Sequence, residues 1–318
     1  MGAGRNHLII QTYRVRQRAV ARVGHRSYPV LALARADHVN IDDAALGRTG
    51  IRDGAAQVLL DGIHEHAMRH VWPLLHDLSA HCTRTDESFA AAVSSEVRAA
   101  LAPEHYAVLT RTAPSYRALL LMRESIRQRE DCGSRFWLAY PTTRGYSAEF
   151  QGRLAMIADA EQGSSCPAVT LAEAATIEQE SVTLADAPRL EAALDALTHH
   201  LVRGVSIHEA RHVADEVEAR AFTRPLRCPA CPAALSAVAR AEVSAYLASF
   251  ADERTGITSL YQACRVASGT NANAIALGYL LPALLPDGCS EGPPPDVQER
   301  ARQLEETLFG RASPIELE

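Results

Sequence analysis

The chain contains no lysine; all 32 of its basic residues are arginine. That points to a GC-rich coding background rather than to a function. Aromatic residues amount to 5 %, against a hydrophobic fraction of 47 %. Such a chain can build a core, and its abundance of alanine and leucine favours helix over sheet. No apolar run reaches about 18 residues, so no membrane span is expected. No basic block stands out and the net charge is −6, which argues against a nucleic-acid partner. The opening stretch, residues 1–17, lacks the long apolar segment of a secretory signal. The cysteines are Cys82, Cys132, Cys166, Cys228, Cys231, Cys264 and Cys289. They are scattered and odd in number, a pattern of reduced thiols in a cytosol. A cytoplasmic location is therefore the expectation, although part of the set could pair if the chain is exported by another route.

What is present reads as a mainly helical α+β protein. The 318 residues suffice for one large domain or two ordinary ones. Residues 8–36 suggest a hairpin around Gly24-His25-Arg26. Residues 53–82 read as a long amphipathic helix, and helical patterns recur at 87–101 and 105–130. The stretch 135–140, before Pro141, reads as a strand, with a second near 154–157. Residues 162–167 form the best candidate linker. The expected division is an N-terminal α+β region, 1–165, and a helical region, 166–318, ending in an arm. Leu194, Leu197, Leu201, Val205, His208, His212, Asp215, Ala219 and Phe222 follow one another at helical spacing, with a possible break at Gly204. Further helices are expected at 232–253, 256–267, 272–285 and 296–309.

On that stripe lies His208-Glu209-Ala210-Arg211-His212, an H-E-x-x-H. Residues four apart share a helix face, so both imidazoles can hold one zinc ion. The intervening Glu209 can reach a metal-activated water as general base. A catalytic zinc takes three protein ligands and keeps one position open. Glu242 supplies a third ligand. It lies on the helical line Leu235, Val238, Glu242, Ala245, Ser249, where an acid is costly unless paired or ligated. The turn-forming residues 223–232 let the two helices pack together.

Over residues 199–250 the chain resembles the gluzincins, zinc peptidases with an H-E-x-x-H helix and a glutamate on a following helix. The resemblance implies a zincin-like unit with His208, His212 and Glu242 as zinc ligands and Glu209 as base. Asp215, one turn beyond His212, matches an aspartate that orients a ligand histidine in some members. The family often places an acid four residues after its ligand glutamate; Tyr246 stands there in this chain. Tyr246, Tyr261, Tyr279 and several arginines are candidates for stabilising the oxyanion.

The implied activity is hydrolysis of an amide bond in a peptide or protein substrate. A strand near 135–140 or 153–158 could hold an extended peptide by edge pairing. The alternative is an inactive zincin-like module that keeps zinc for binding or regulation. A plainer alternative makes the motif a solvated helix face with a glutamate–arginine pair. Glu218 stands where metzincins place a third ligand, but Asp215 replaces their turn glycine and no Met-turn is evident. A second E-x-x-H, which a di-iron bundle would need, is missing. His66 and His70 stand four apart and could bridge a metal, but no third ligand is evident at helical spacing, so the cluster His64, His66 and His70 reads as a solvated helix face. Cys228-Pro229-Ala230-Cys231 reads as a structural turn, with a zinc clip to Cys264 and Cys289 as the alternative. Nothing in the sequence speaks to oligomeric state.

Overall fold

A computed structural model describes residues 12–36, 45–50, 54–75, 84–127, 136–138, 156–158, 171–218, 235–268, 270–310 and 314–318. The protein is mainly helical, with a small sheet built largely from the first 60 residues. The expected hairpin is β1 (Tyr13–Val23) and β2 (Arg26–Arg35), paired antiparallel with Val23 opposite Arg26. Its turn is the two residues Gly24 and His25. Gly24 has φ +59°, a left-handed value that a two-residue hairpin favours and glycine adopts without penalty.

Residues 53–82 are not one helix. Ala55–Leu59 form β4, which pairs parallel with β2, and β3 (Gly47–Gly50) pairs antiparallel on its other side. The helix proper, α1 (Leu60–His66), starts only afterwards and runs through a π turn and a 3-10 turn to Leu75. The cause of the difference is burial on both faces. In β4 every residue is buried except Gln57, which is half-buried, so the alternation that marks a strand in sequence is lost. The strand β5 (Phe136–Leu138) pairs antiparallel with β6 (Met156–Ala158) as a separate ribbon. The last strand, β7 (Ile315–Leu317), returns to the free side of β1, giving the sheet order β3-β4-β2-β1-β7. The linker at 162–167 lies outside the described residues.

Helices α2 (Arg84–Ala100), α3 (Pro103–Arg127) and α4 (Leu171–Ala185) precede the central helix, α5 (Leu190–Glu218). After it come α6 (Ala237–Phe250), α7 (Gly256–Val266), α8 (Ala272–Leu284) and α9 (Val297–Phe309). These match the helical patterns to within a few residues. α5 packs on every strand of the five-stranded sheet and on α1, α3, α6 and α7. Residues of 1–165 and of 166–318 share one hydrophobic core, from Val30 and Trp72 to Leu194, Leu247 and Leu308.

Gly204 does not interrupt α5. A Cβ there would lie 2.6 Å from Ser259 Oγ, so this glycine allows close approach of α5 and α7. Next to this crossing, Arg203 of α5 clamps Asp252, just past the end of α6, with three hydrogen bonds of 2.7–3.1 Å. Planar two-pronged pairing fixes orientation as well as distance. The Glu96 carboxylate of α2 accepts from the backbone N–H groups of Ile257 and Thr258 at 2.8 and 3.0 Å. It thereby satisfies open donors in the first turn of α7. The frame around the middle of α5 is thus braced by two polar contacts.

The cysteines bring one correction. Cys264 of α7 and Cys289 are joined by a disulfide with a Cα–Cα separation of 5.9 Å, a normal span for such a bond. These two are not reduced thiols, and they are not available for a zinc clip with Cys228 and Cys231, which lie outside the described residues. No helix among the described residues is long and apolar enough to cross a membrane.

Candidate metal centre

His208 and His212 lie one turn apart on α5, and α6 packs alongside to bring Glu242 over them. His208 Nε2 and His212 Nε2 are 3.2 Å apart. Glu242 Oε2 is 3.4 Å from the first and 3.5 Å from the second. The three ligand atoms therefore form a nearly equilateral triangle. Bonds of about 2.0–2.1 Å at tetrahedral angles separate ligand atoms by about 3.3–3.4 Å. The triangle is one face of such a tetrahedron, so the donor set fits zinc in type and in spacing. Among the described residues this is the only group of three or more His, Cys, Asp or Glu that converges in this way.

Glu209 leaves the helix on another bearing, about 100° round from His208, and turns towards the sheet. Its Oε2 accepts a hydrogen bond from Thr49 Oγ1 at 3.0 Å, and its side chain is only 7 % exposed. A Cβ on Gly47 would stand 2.6 Å from both Cγ and Oε1 of Glu209. Only glycine at 47 lets the strand and the glutamate come this close. Gly47 and Thr49 belong to β3, the outer strand of the sheet. Leu46 C=O accepts from Leu59 N–H at 2.8 Å, so Leu46 and Arg48 turn their backbone groups towards β4. By antiparallel alternation Gly47 and Thr49 turn theirs outward, beside Glu209. The strands expected to offer an edge, β5 and β6, pair with each other as a two-stranded ribbon.

The groups around the triangle set its charge. Burial alone would raise the Glu242 pKa, but hydrogen bonds from His208 and His212 and their charges outweigh it and hold the carboxyl at about 2. Burial would lower the His212 pKa. The hydrogen bond to Glu242 and the charges of Glu242, Glu209 and Asp215 outweigh that and raise it above the ordinary 6.5. Asp215 is fully buried, and its charge is felt at His212. Tyr246, where a family acid was expected, stands edge-on to the His208 ring with centroids 4.7 Å apart. Burial and the charges of Glu242 and Glu209 push its phenol well above the usual range, so it stays protonated.

A pH dependence follows. A metal held at the triangle would have to displace the proton from His212, whose raised pKa makes the proton compete from a higher pH than at an ordinary histidine. Zinc affinity should fall as pH drops through that raised value, while Glu242 stays ionised throughout. In the metal-free protein the sign is opposite. The stability contributed by charged His212 is complete below its unfolded pKa and is lost as pH rises through the folded one. Competition titrations with a chelating dye between about pH 6 and 9 read the first effect. A flat affinity profile would contradict it.

Two neighbours were not visible in the sequence. Thr49 lies 160 positions from Glu209, and nothing in the stretch 45–50 marks it. Asn273, in the first turn of α8, reaches Glu242: with its amide turned so that nitrogen donates, it lies 2.6 Å from Oε2 and 3.3 Å from Oε1. Its sequence context, Thr-Asn-Ala-Asn, reads only as a helix start, and Asn271 does cap α8 by accepting from Ala274 N–H at 2.8 Å.

The second histidine cluster is not a solvated face. His64 is buried and its Nδ1 lies 2.9 Å from Thr198 Oγ1. His66 and His70 are half-buried, with ring centroids 5.2 Å apart.

Comparison with protein-family models, with curated proteins and with solved structures finds no match to this chain.

Proposed function

We propose that the chain is a zinc-dependent peptidase with a gluzincin-like site. His208, His212 and Glu242 hold the ion and Glu209 is the general base. The observation that carries this reading is the ligand triangle, with edges of 3.2, 3.4 and 3.5 Å. Three residues from two helices meet at the separation zinc requires, and the motif glutamate stands beside them without joining them.

Bound zinc would acidify a water and polarise the scissile carbonyl. The rest is the work of the chain. Thr49 occupies Oε2 of Glu209, which leaves Oε1 to take the proton from the attacking water and hand it to the leaving amine. The buried setting of Glu209 limits competing solvent. The protonated phenol of Tyr246, held against His208, is a donor for charge developing on the carbonyl oxygen. The outward backbone groups of Gly47 and Thr49 suit an extended peptide laid antiparallel along β3, which would place its backbone beside Glu209. The Cys264–Cys289 disulfide favours folding under oxidising conditions over the cytoplasmic location the thiol count suggested.

The test is hydrolysis of a peptide library read by mass spectrometry. Zinc-loaded protein is expected to cleave, chelation to abolish cleavage, and added zinc to restore it. Stoichiometric zinc with no cleavage of any peptide would favour the zinc-holding module. Cleavage that survives complete chelation would overturn the metal reading.

A further inference from the structure

Asn273 has a place in the site that the ligand set alone does not explain. α8 packs against α6, and its capped first turn sets Asn273 against the Glu242 carboxylate. The oxygen nearest its amide nitrogen, Oε2, is the one that faces both histidines. A free glutamate side chain has three torsions and can swing its carboxylate between oxygens. A neutral amide donor removes that freedom without adding a charge that would compete with a cation. It also favours the ionised carboxylate, the form a metal needs. Aspartate at 273 would be the same size but would oppose one carboxylate with another.

We infer that Asn273 is a positioning residue for Glu242: its amide donates to the carboxylate and fixes the oxygen presented to the ion. The inference rests on the proposed metal reading. Asn273 makes the site a three-helix construction, with histidines from α5, the carboxylate from α6 and its orientation from α8. Hydrogen-bond partners of metal ligands typically change affinity by about 10–100-fold when removed.

The experiment compares the whole chain with its Asn273→Ala and Asn273→Asp variants in zinc competition titrations at neutral pH. Each metal-free form is first melted thermally. The cobalt-loaded forms are compared by visible absorption. Both variants should remain folded and bind zinc about 10–100-fold more weakly. Their cobalt bands should shift, because the carboxylate is held differently. The aspartate variant should be the weaker binder, although it keeps the shape of asparagine. Zinc affinity and cobalt bands that match wild type in either folded variant would overturn the role of Asn273 and leave the metal site standing. Failure of the wild type to bind zinc would overturn the metal reading, and this inference with it. Should Asn273→Ala not fold, the isosteric aspartate variant decides alone.

Discussion

Glu209→Gln is expected to lower peptide hydrolysis by about 10²–10⁴-fold while zinc content stays at the wild-type level. The substitution keeps the shape of the side chain and removes its ability to take a proton. Glu209 is not one of the converging ligand atoms, so the ion should be retained. The glutamine can still accept from Thr49, so the local contact with β3 should survive. The measurement is kcat/KM on one cleaved peptide, with zinc determined on the same samples. Equal rates in both proteins would assign the hydrolysis to another site or to a contaminant. A parallel loss of zinc would show that Glu209 acts on the metal and not on the proton.

The second large effect lies behind the site. Arg211, inside the H-E-x-x-H motif, pairs with Glu305 of α9 at 3.1 Å. Their exposures are 1 % and 2 %. Removing one partner of a buried ion pair typically costs about 3–5 kcal/mol, because a charge is left in a dry setting. Glu305→Ala should therefore lower unfolding stability by about that much, read as a shift in the denaturant midpoint. Replacing both partners with apolar residues of similar volume should lose much less. A cost below about 1 kcal/mol for Glu305→Ala would mean that water or a neighbouring carboxylate takes over the guanidinium. The same pair explains why an arginine sits on an otherwise buried stretch of α5. It ties the turn that carries His208 and His212 to the last helix, so loosening α9 should also loosen the site.

How far the sequence reveals this molecule depends on the range of each signal. The helices of the second half are legible because their apolar positions repeat locally at three and four residues. The convergence of the candidate ligands is legible for the same reason. His208 and His212 are one turn apart, and Glu242 lies on an apolar stripe where an unpaired acid would be costly. β4 is hidden because burial on both faces erases its alternation, and its partner β2 is set by tertiary pairing. Gly204 looks like a helix breaker until α7 is seen crossing it. Gly47 and Thr49 carry no local pattern, because their role exists only once β3 lies against α5. Asn273 is masked by its neighbour Asn271, whose capping role accounts for the whole polar cluster. The Cys264–Cys289 bond is a long-range pairing that a count of seven cysteines cannot assign.

The central claim is that two histidines and one glutamate, from two helices, hold a single zinc ion. X-ray absorption at the zinc edge on protein loaded with one equivalent tests it most directly. The predicted first shell has two imidazole nitrogens and low-atomic-number carboxylate and water oxygens, all at about 2.0–2.2 Å, with the outer-shell scattering of two imidazole rings. In Glu242→Ala the imidazole signature should persist with a weaker or altered oxygen shell. A spectrum without imidazole scattering, one with sulfur at about 2.3 Å, or a protein that takes up no zinc would contradict the account.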